Sequence, residues 1–207
     1  MHERTILFDF DGVIVDSFRL CLEVSRTICP HITASDYKAK FEGNINDWQD
    51  PTGVHTSDCR PEVDFFSEYI PRMMSEAAIV PGIADAIIRL NGRYNLIVIS
   101  STVTSPIRTL LVAHGLAKYF VEIMGNDVHK SKVEKIRMVL SKYAITEKEC
   151  IFVTDTLGDI REATKVGVGA IGVTWGFHEP MRLAKGHPFR LVSTPKDLES
   201  AINDYFV

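Results

Sequence analysis

The 207-residue chain has an ordinary globular composition, 45% hydrophobic and 24% charged, and enough length for one substantial core plus a small accessory domain. A net charge of −4 with no basic run argues against nucleic acid or an anionic membrane as the main partner, and no apolar run is long enough to span a bilayer. Met-His-Glu-Arg leads directly into an apolar stretch without a signal-peptide pattern, and Cys21, Cys29, Cys59 and Cys150 lack metal or disulfide spacing, so the expectation is a cytoplasmic protein with reduced thiols.

In chain order, Ile6, Leu7 and Phe8 read as a buried strand that ends on Asp9, a spacer, Asp11 and Gly12. Residues two apart on a strand face the same side, which brings the two carboxylates together at a carboxyl-terminal strand end, where open α/β sheets bind ligands. Like charges at such range need a cation or a proton between them. The plain alternative is a strand followed by an Asp-Gly turn.

Residues 17–78 differ from the rest. They hold no convincing strand, carry polar, turn-rich text over 42–53, and show helical patterns at 18–28, 35–41 and 61–78. From about residue 80 strands and helices alternate. The helices fall at 81–92, after Pro106, at 132–143 behind a Ser131/Glu134 capping box, at 159–166 and after Thr194-Pro195; the strands fall at 96–99, 120–124, 151–153, 170–173 and 190–192. Strands separated by helices predict an α/β fold, a Rossmann-like parallel sheet with helices on both faces, and a small helical cap inserted after the first strand. The expected division is a core of 1–16 and 79–207 with a cap, or lid, of 17–78.

Three further features fall at predicted strand ends. Ser100 and Ser101 close the strand Leu-Ile-Val-Ile and suit a phosphate, or simply a turn. Asp155 closes Ile-Phe-Val-Thr, and Asp159 begins the next helix, where a capping role is the plain reading. Lys130 and Lys132 flank the start of the capping-box helix, an unfavourable end for a cation unless an anion is near. Hard oxygen donors with few basic groups select Mg²⁺, and Mg²⁺ with a lysine and a hydroxyl suits a phosphoryl group.

Asp-Phe-Asp-Gly-Val at 9–13, Ser100, the helix-leading lysine and Asp-Thr-Leu-Gly-Asp at 155–159 resemble, in order and spacing, the four motifs of the haloacid dehalogenase superfamily. Gly-Val-Thr-Trp-Gly-Phe-His at 172–178 and the helical insert are similar to its phosphoglycolate phosphatase-like branch. The resemblance implies a phosphatase acting on a small phosphate ester, with Asp9 as nucleophile and Asp11 as general acid and base. It implies Mg²⁺ held by Asp9, Asp11 (through its backbone carbonyl), Asp155 and Asp159. It also implies phosphoryl binding by Ser100, backbone amides near Gly12 and Ser101, and a lysine. Lys132 fits relatives whose lysine opens the helix, whereas Lys130 fits those whose lysine precedes a proline, and Ser131 stands here instead. A sugar-phosphate mutase and a non-catalytic binding protein are the competing readings. His178 and His187 read as surface or supporting residues, and Trp175 and Phe177 as packing. Lys38, Lys40, Asn44, Trp48 and Arg60 are the cap residues available for substrate selection.

Overall fold

The computed structural model describes residues 3–48 and 59–207. Strand β1 (Thr5–Phe8) lies at the centre of a six-stranded parallel sheet. Its neighbours are β4 (Asn95–Ile99) on one side and β6 (Cys150–Thr154) on the other. Beyond them pair β5 (Glu122–Met124), β7 (Gly169–Val173) and β8 (Arg190–Val192), in the order β5-β4-β1-β6-β7-β8. The register sets Phe8 beside both Val98 and Val153, so Asp9, Ser100 and Asp155 all follow on one sheet edge.

Alternation along the strands fills both faces. Ile6, Phe8, Val98 and Val153 enter one apolar cluster, whereas Leu7, Ile97, Ile99 and Phe152 enter the other. The first face also takes α4 (Ile83–Asn91), α5 (Thr104–Ala113) and α9 (Pro195–Tyr205). The second is covered by α6 (Lys132–Tyr143), α7 (Leu157–Val166) and α8 (Pro180–Ala184), the last a short helix that the sequence reading missed.

Between the first two core strands, α1 (Phe18–Ile28), α2 (Ala34–Ala39) and α3 (Phe65–Glu76) form the inserted cap. Residues 17–78 are not strand-free. Ala78 and Ile79 form β3, an antiparallel ribbon with β2 (Val15–Asp16) at the base of the insert. Two residues per strand are too few for a period to register. The third helix starts at Phe65 instead of 61 because Asp64 caps it through Ser67 N–H. Likewise α4 begins after Gly82, whose φ of 85° no other residue adopts easily, so Pro81 precedes the helix.

The cysteines also depart from expectation. Cys29 and Cys59 are joined as a disulfide across 30 residues, while Cys21 and Cys150 are free and buried. Arg60 N–H donates to Ile28 O at 2.7 Å and lays that segment along the end of α1, a pairing that spacing alone does not encode.

The cap is seated on the core. Tyr37, Tyr69 and Met73 of the cap belong to the same apolar cluster as the central strands. Arg161 Nη1 donates to Glu42 O at 2.6 Å, and Asn46 Nδ2 to Lys130 O at 3.0 Å. Gly158 sits directly under the cap, where an added Cβ would lie 2.3 Å from Gly43 O and 2.8 Å from Phe41 O. Glycine-to-alanine normally favours a helix interior by up to about 1 kcal/mol. Here the sign reverses, and Gly158→Ala is expected to lower unfolding free energy by about 1–3 kcal/mol. Urea unfolding reads this directly, and stability equal to or above that of the parent would show that the cap yields without cost. Among the described residues no helix is long and apolar enough to cross a membrane.

Candidate active site

Four acids reach the carboxyl ends of β1 and β6, and they divide into two groups. Asp9, Asp155 and Asp159 are buried and interact with one another, while Asp11 turns elsewhere. Lys132, first residue of α6 behind its Ser131 cap, sends its ammonium between Asp9 Oδ2 (2.7 Å) and Asp159 Oδ2 (2.6 Å). Burial alone would depress that lysine, but Asp159 and Asp9 hold its pKa above the ordinary value. Lys130 is exposed, and its carbonyl, not its ammonium, meets the cap.

Asp159 is not the cap of α7. Thr156 fills that role, accepting from Asp159 N–H at 3.3 Å, which leaves the carboxylate to Lys132 and to Thr154 Oγ1 at 2.7 Å. Burial would raise its pKa, yet Lys132 and these hydrogen bonds hold it below the usual carboxylate value. Asp9 shows the opposite balance: burial raises it well above normal, against the pull of Lys132 and with a further push from Asp159.

Asp155 is threaded between two glycines. A Cβ on Gly12 would lie 2.0 Å from Asp155 Oδ2, and one on Gly176 would lie 2.3 Å from Asp155 Cβ. Gly12 also needs its φ of 73°. Phe177 N–H donates to Asp155 Oδ2 at 2.7 Å, yet burial still pushes the carboxyl up to about 7. Its other oxygen, Oδ1, is buried with no hydrogen-bond partner. An orphaned, desolvated carboxylate oxygen beside two further acids suits a hard divalent cation, so the donor set fits Mg²⁺. No ready-made cluster of three such ligands is formed among the described residues, since the Lys132 ammonium lies between Asp9 and Asp159.

Asp11 accepts from Thr102 Oγ1 at 2.7 Å through one oxygen and from the Tyr69 hydroxyl through the other. Its side chain is therefore held by a core loop and by the cap, apart from the Lys132-centred acids. Tyr69 lies on α3, fully buried and stacked on Phe65. Burial, followed by the Asp11 charge, keeps its phenol protonated. Ser100 is buried, and its Oγ accepts from Thr102 N–H at 2.9 Å, a turn interaction; Ser101 lines the cavity above the acids. The Gly12 N–H donates to Val15 O at 2.8 Å, so in this arrangement it is committed to the turn.

Several residues were missed by sequence reasoning. Lys135 is fully buried one turn after Lys132 and donates to the carbonyls of Ser100 and Gly125; burial first, then Lys132, lower its pKa to about 8. The spacing was a usable signal, because 132, 135, 136 and 139 share the buried face of α6. Tyr69, Thr102 and Thr154 carried no local signal. His178 is fully buried, which fits the supporting alternative of its sequence reading and not the surface one. Its Nδ1 accepts from Leu157 N–H at 2.9 Å, so Nε2 carries the proton and donates to Lys38 O at 2.8 Å, tying cap to core. His187 is exposed. Phe177 packs against the core as expected and also lines the cavity, and Trp175 donates to Val13 O. Of the cap residues singled out, Lys38 pairs with Glu179, Asn44 with Glu162, and Lys40 and Trp48 line the cavity; Arg60 is not among its walls.

The sequence profile of the haloacid dehalogenase-like hydrolases matches residues 6–173. The chain belongs to this family. A phosphoglycolate phosphatase of Synechococcus elongatus is 24% identical over 96% of this chain and 97% of its own length. A probable phosphatase of Dickeya dadantii is 32% identical over 59% of this chain and 55% of its own length. In fold, the chain resembles a haloacid dehalogenase-like hydrolase from Streptococcus pneumoniae (TM-score 0.77, 21% identity, 96% and 98% of the two chains covered). It also resembles a predicted phosphatase from Clostridium acetobutylicum (TM-score 0.77, 22% identity, 99% and 100% covered). The family match begins at Ile6 and ends at Val173, so it takes in all four motifs of this haloacid dehalogenase-like hydrolase, the cap included.

Proposed function

We propose that this hydrolase is a Mg²⁺-dependent phosphatase that cleaves a small phosphate monoester through an aspartyl-phosphate on Asp9. The carrying observation is the buried Asp9–Lys132–Asp159 arrangement with the partnerless Asp155 Oδ1 alongside. Phosphatase relatives spanning nearly the whole chain support the same reading. Asp9, Asp155 and Asp159 would hold Mg²⁺, which when bound neutralises charge on the phosphoryl group and the attacking carboxylate.

The chain's own groups divide the rest. An Asp9 oxygen attacks phosphorus, the phosphorus–ester bond breaks, and Asp11 gives its proton to the departing oxygen. Asp11 then takes a proton from water, whose oxygen attacks the phosphorus of the aspartyl-phosphate and releases inorganic phosphate and free Asp9. Lys132 balances the charge of Asp9 and the phosphoryl group, and Ser100 and Ser101 face its oxygens. Lys135 fixes the Ser100 carbonyl from beneath. Residues 17–78 act as a lid on a core of 1–16 and 79–207. In its present position the lid sets the Tyr69 hydroxyl on Asp11 and limits bulk solvent, with the hydrolytic water admitted to the site.

The reading is tested by phosphate release from a panel of phosphate monoesters after exhaustive treatment with a chelator. Turnover is expected to be absent in chelator and restored by Mg²⁺, and full turnover without a divalent ion would overturn it. Tyr69→Phe removes only the hydroxyl on Asp11. A hydrogen bond to a charged partner is worth about 1.5–3 kcal/mol, so kcat/KM should fall roughly 10- to 100-fold with a changed pH–rate profile. An unaltered profile would leave Tyr69 a packing residue.

A further inference from the structure

The chamber above the acids is mostly apolar, and its walls describe the molecule it takes. It has a volume of about 340 Å³, in the range of pockets that hold drug-sized ligands and roomy for a two-carbon acid. Its floor is polar, formed by the acids, Lys132 and the hydroxyls of Ser100 to Thr102. Away from that floor it is walled by Tyr37, Phe41, Trp48, Phe65, Phe66 and Tyr69, all from the cap. Phe65, Phe66 and Tyr69 come from the first turns of α3, with Phe65 stacked on Tyr69 at 5.3 Å and edge-on to Phe66 at 5.6 Å.

Beyond the floor, Lys40 and Glu162 are the charged residues that line the chamber among the described residues. Lys40 is the one cation that the described part of the cap contributes to the lining, and its ammonium lies over the Trp48 ring at 4.6 Å. No arginine lines the chamber among the described residues, and the Tyr69 hydroxyl is directed at Asp11. A carboxylate or a polyol placed here would give up its water to aromatic walls with few donors in return. An apolar or aromatic group would be favoured by the same walls.

We infer that this site takes phosphate monoesters whose leaving group is bulky and apolar or aromatic, not small polar esters such as phosphoglycolate. The inference rests on the phosphatase reading above and adds the substrate class. The reaction is unchanged: water and the ester give inorganic phosphate and an apolar alcohol or phenol. The class of reaction that supplies such a substrate is phosphorylation of an apolar alcohol or phenol.

The test compares kcat/KM, with Mg²⁺, for ethyl, butyl and hexyl phosphate, 1-naphthyl phosphate, glycerol 3-phosphate and phosphoglycolate. The alkyl esters share leaving-group acidity, so their series isolates the walls. Burying a methylene favours binding about fourfold, so kcat/KM should climb steeply from ethyl to hexyl phosphate. Naphthyl phosphate should exceed phosphoglycolate by at least about tenfold. Phe66→Ser should flatten the hexyl-to-ethyl ratio, which is taken within one preparation and is insensitive to the folded fraction. A flat alkyl series, or phosphoglycolate or glycerol 3-phosphate turned over best, overturns the inference while leaving the phosphatase reading intact. No phosphate released from any ester in the set overturns both.

Discussion

Asp9→Asn is expected to reduce turnover by on the order of 10⁴- to 10⁶-fold, the range met when a covalent nucleophile is removed. The amide is nearly isosteric. It keeps an oxygen to accept from Phe10 N–H, a bond of 2.7 Å in the parent. Its NH₂ faces the Lys132 ammonium, so that charge-assisted bond is lost and the lysine leans on Asp159 alone. The loss is offset because burial already disfavours the Asp9 charge strongly, and one of three mutually repelling acids disappears. The stability cost should stay below about 3 kcal/mol by urea unfolding. Catalysis and stability are thus expected to part by several orders of magnitude. Substantial phosphate release by the variant would remove Asp9 as nucleophile, and gross unfolding would make its role structural.

What was legible in the chain were features whose cause is local. An apolar run that stops at an acid announces both the strand and its ligand-binding end, so Asp9, Ser100 and Asp155 could be set on one edge before any register was known. Ser131 located the start of α6 as its cap, although the expected box is only half formed, Ser131 N–H going to His129 Nδ1 instead of Glu134. The cap could not decide between Lys130 and Lys132. That choice depends on which face of the first turn meets β1, a tertiary fact. Asp159 looked like a helix cap because the competing cap, Thr156, is also a good one. The rest lies in contacts between distant segments: Tyr69 on Asp11 across 58 residues, His178 on Lys38 across 140, and Cys29 with Cys59. Gly12 read as a turn former, whereas the missing side chains of Gly12 and Gly176 make room for Asp155.

Lys132→Met should produce the largest combined loss of stability and activity. Methionine keeps most of the lysine volume, so the change removes charge and donors more than packing. The parent lysine side chain is only 5% exposed, and the side chains of the two aspartates it touches are 8% and 9% exposed. Stripping one partner from a buried ion pair leaves an uncompensated charge, at a cost of about 3–5 kcal/mol. Here two carboxylates are left, with Asp155 adjoining, and the nearest other buried ammonium, Lys135, is committed to the carbonyls of Ser100 and Gly125. The cost should be greatest in chelator. A cation that binds only the folded state adds about 2.7 kcal/mol at 100 times its Kd, so Mg²⁺ should recover a larger share of stability in the variant than in the parent. Turnover should fall about 10²- to 10³-fold even with Mg²⁺, since a preorganised charge at the phosphoryl site is missing. Lys130→Met is the matched control. Its side chain is exposed, so stability should move by less than about 0.5 kcal/mol, with turnover close to that of the parent. If the two variants exchanged behaviours, the lysine serving Asp9 would be Lys130, and α6 would have to begin on a different face from the one seen between β1 and α7.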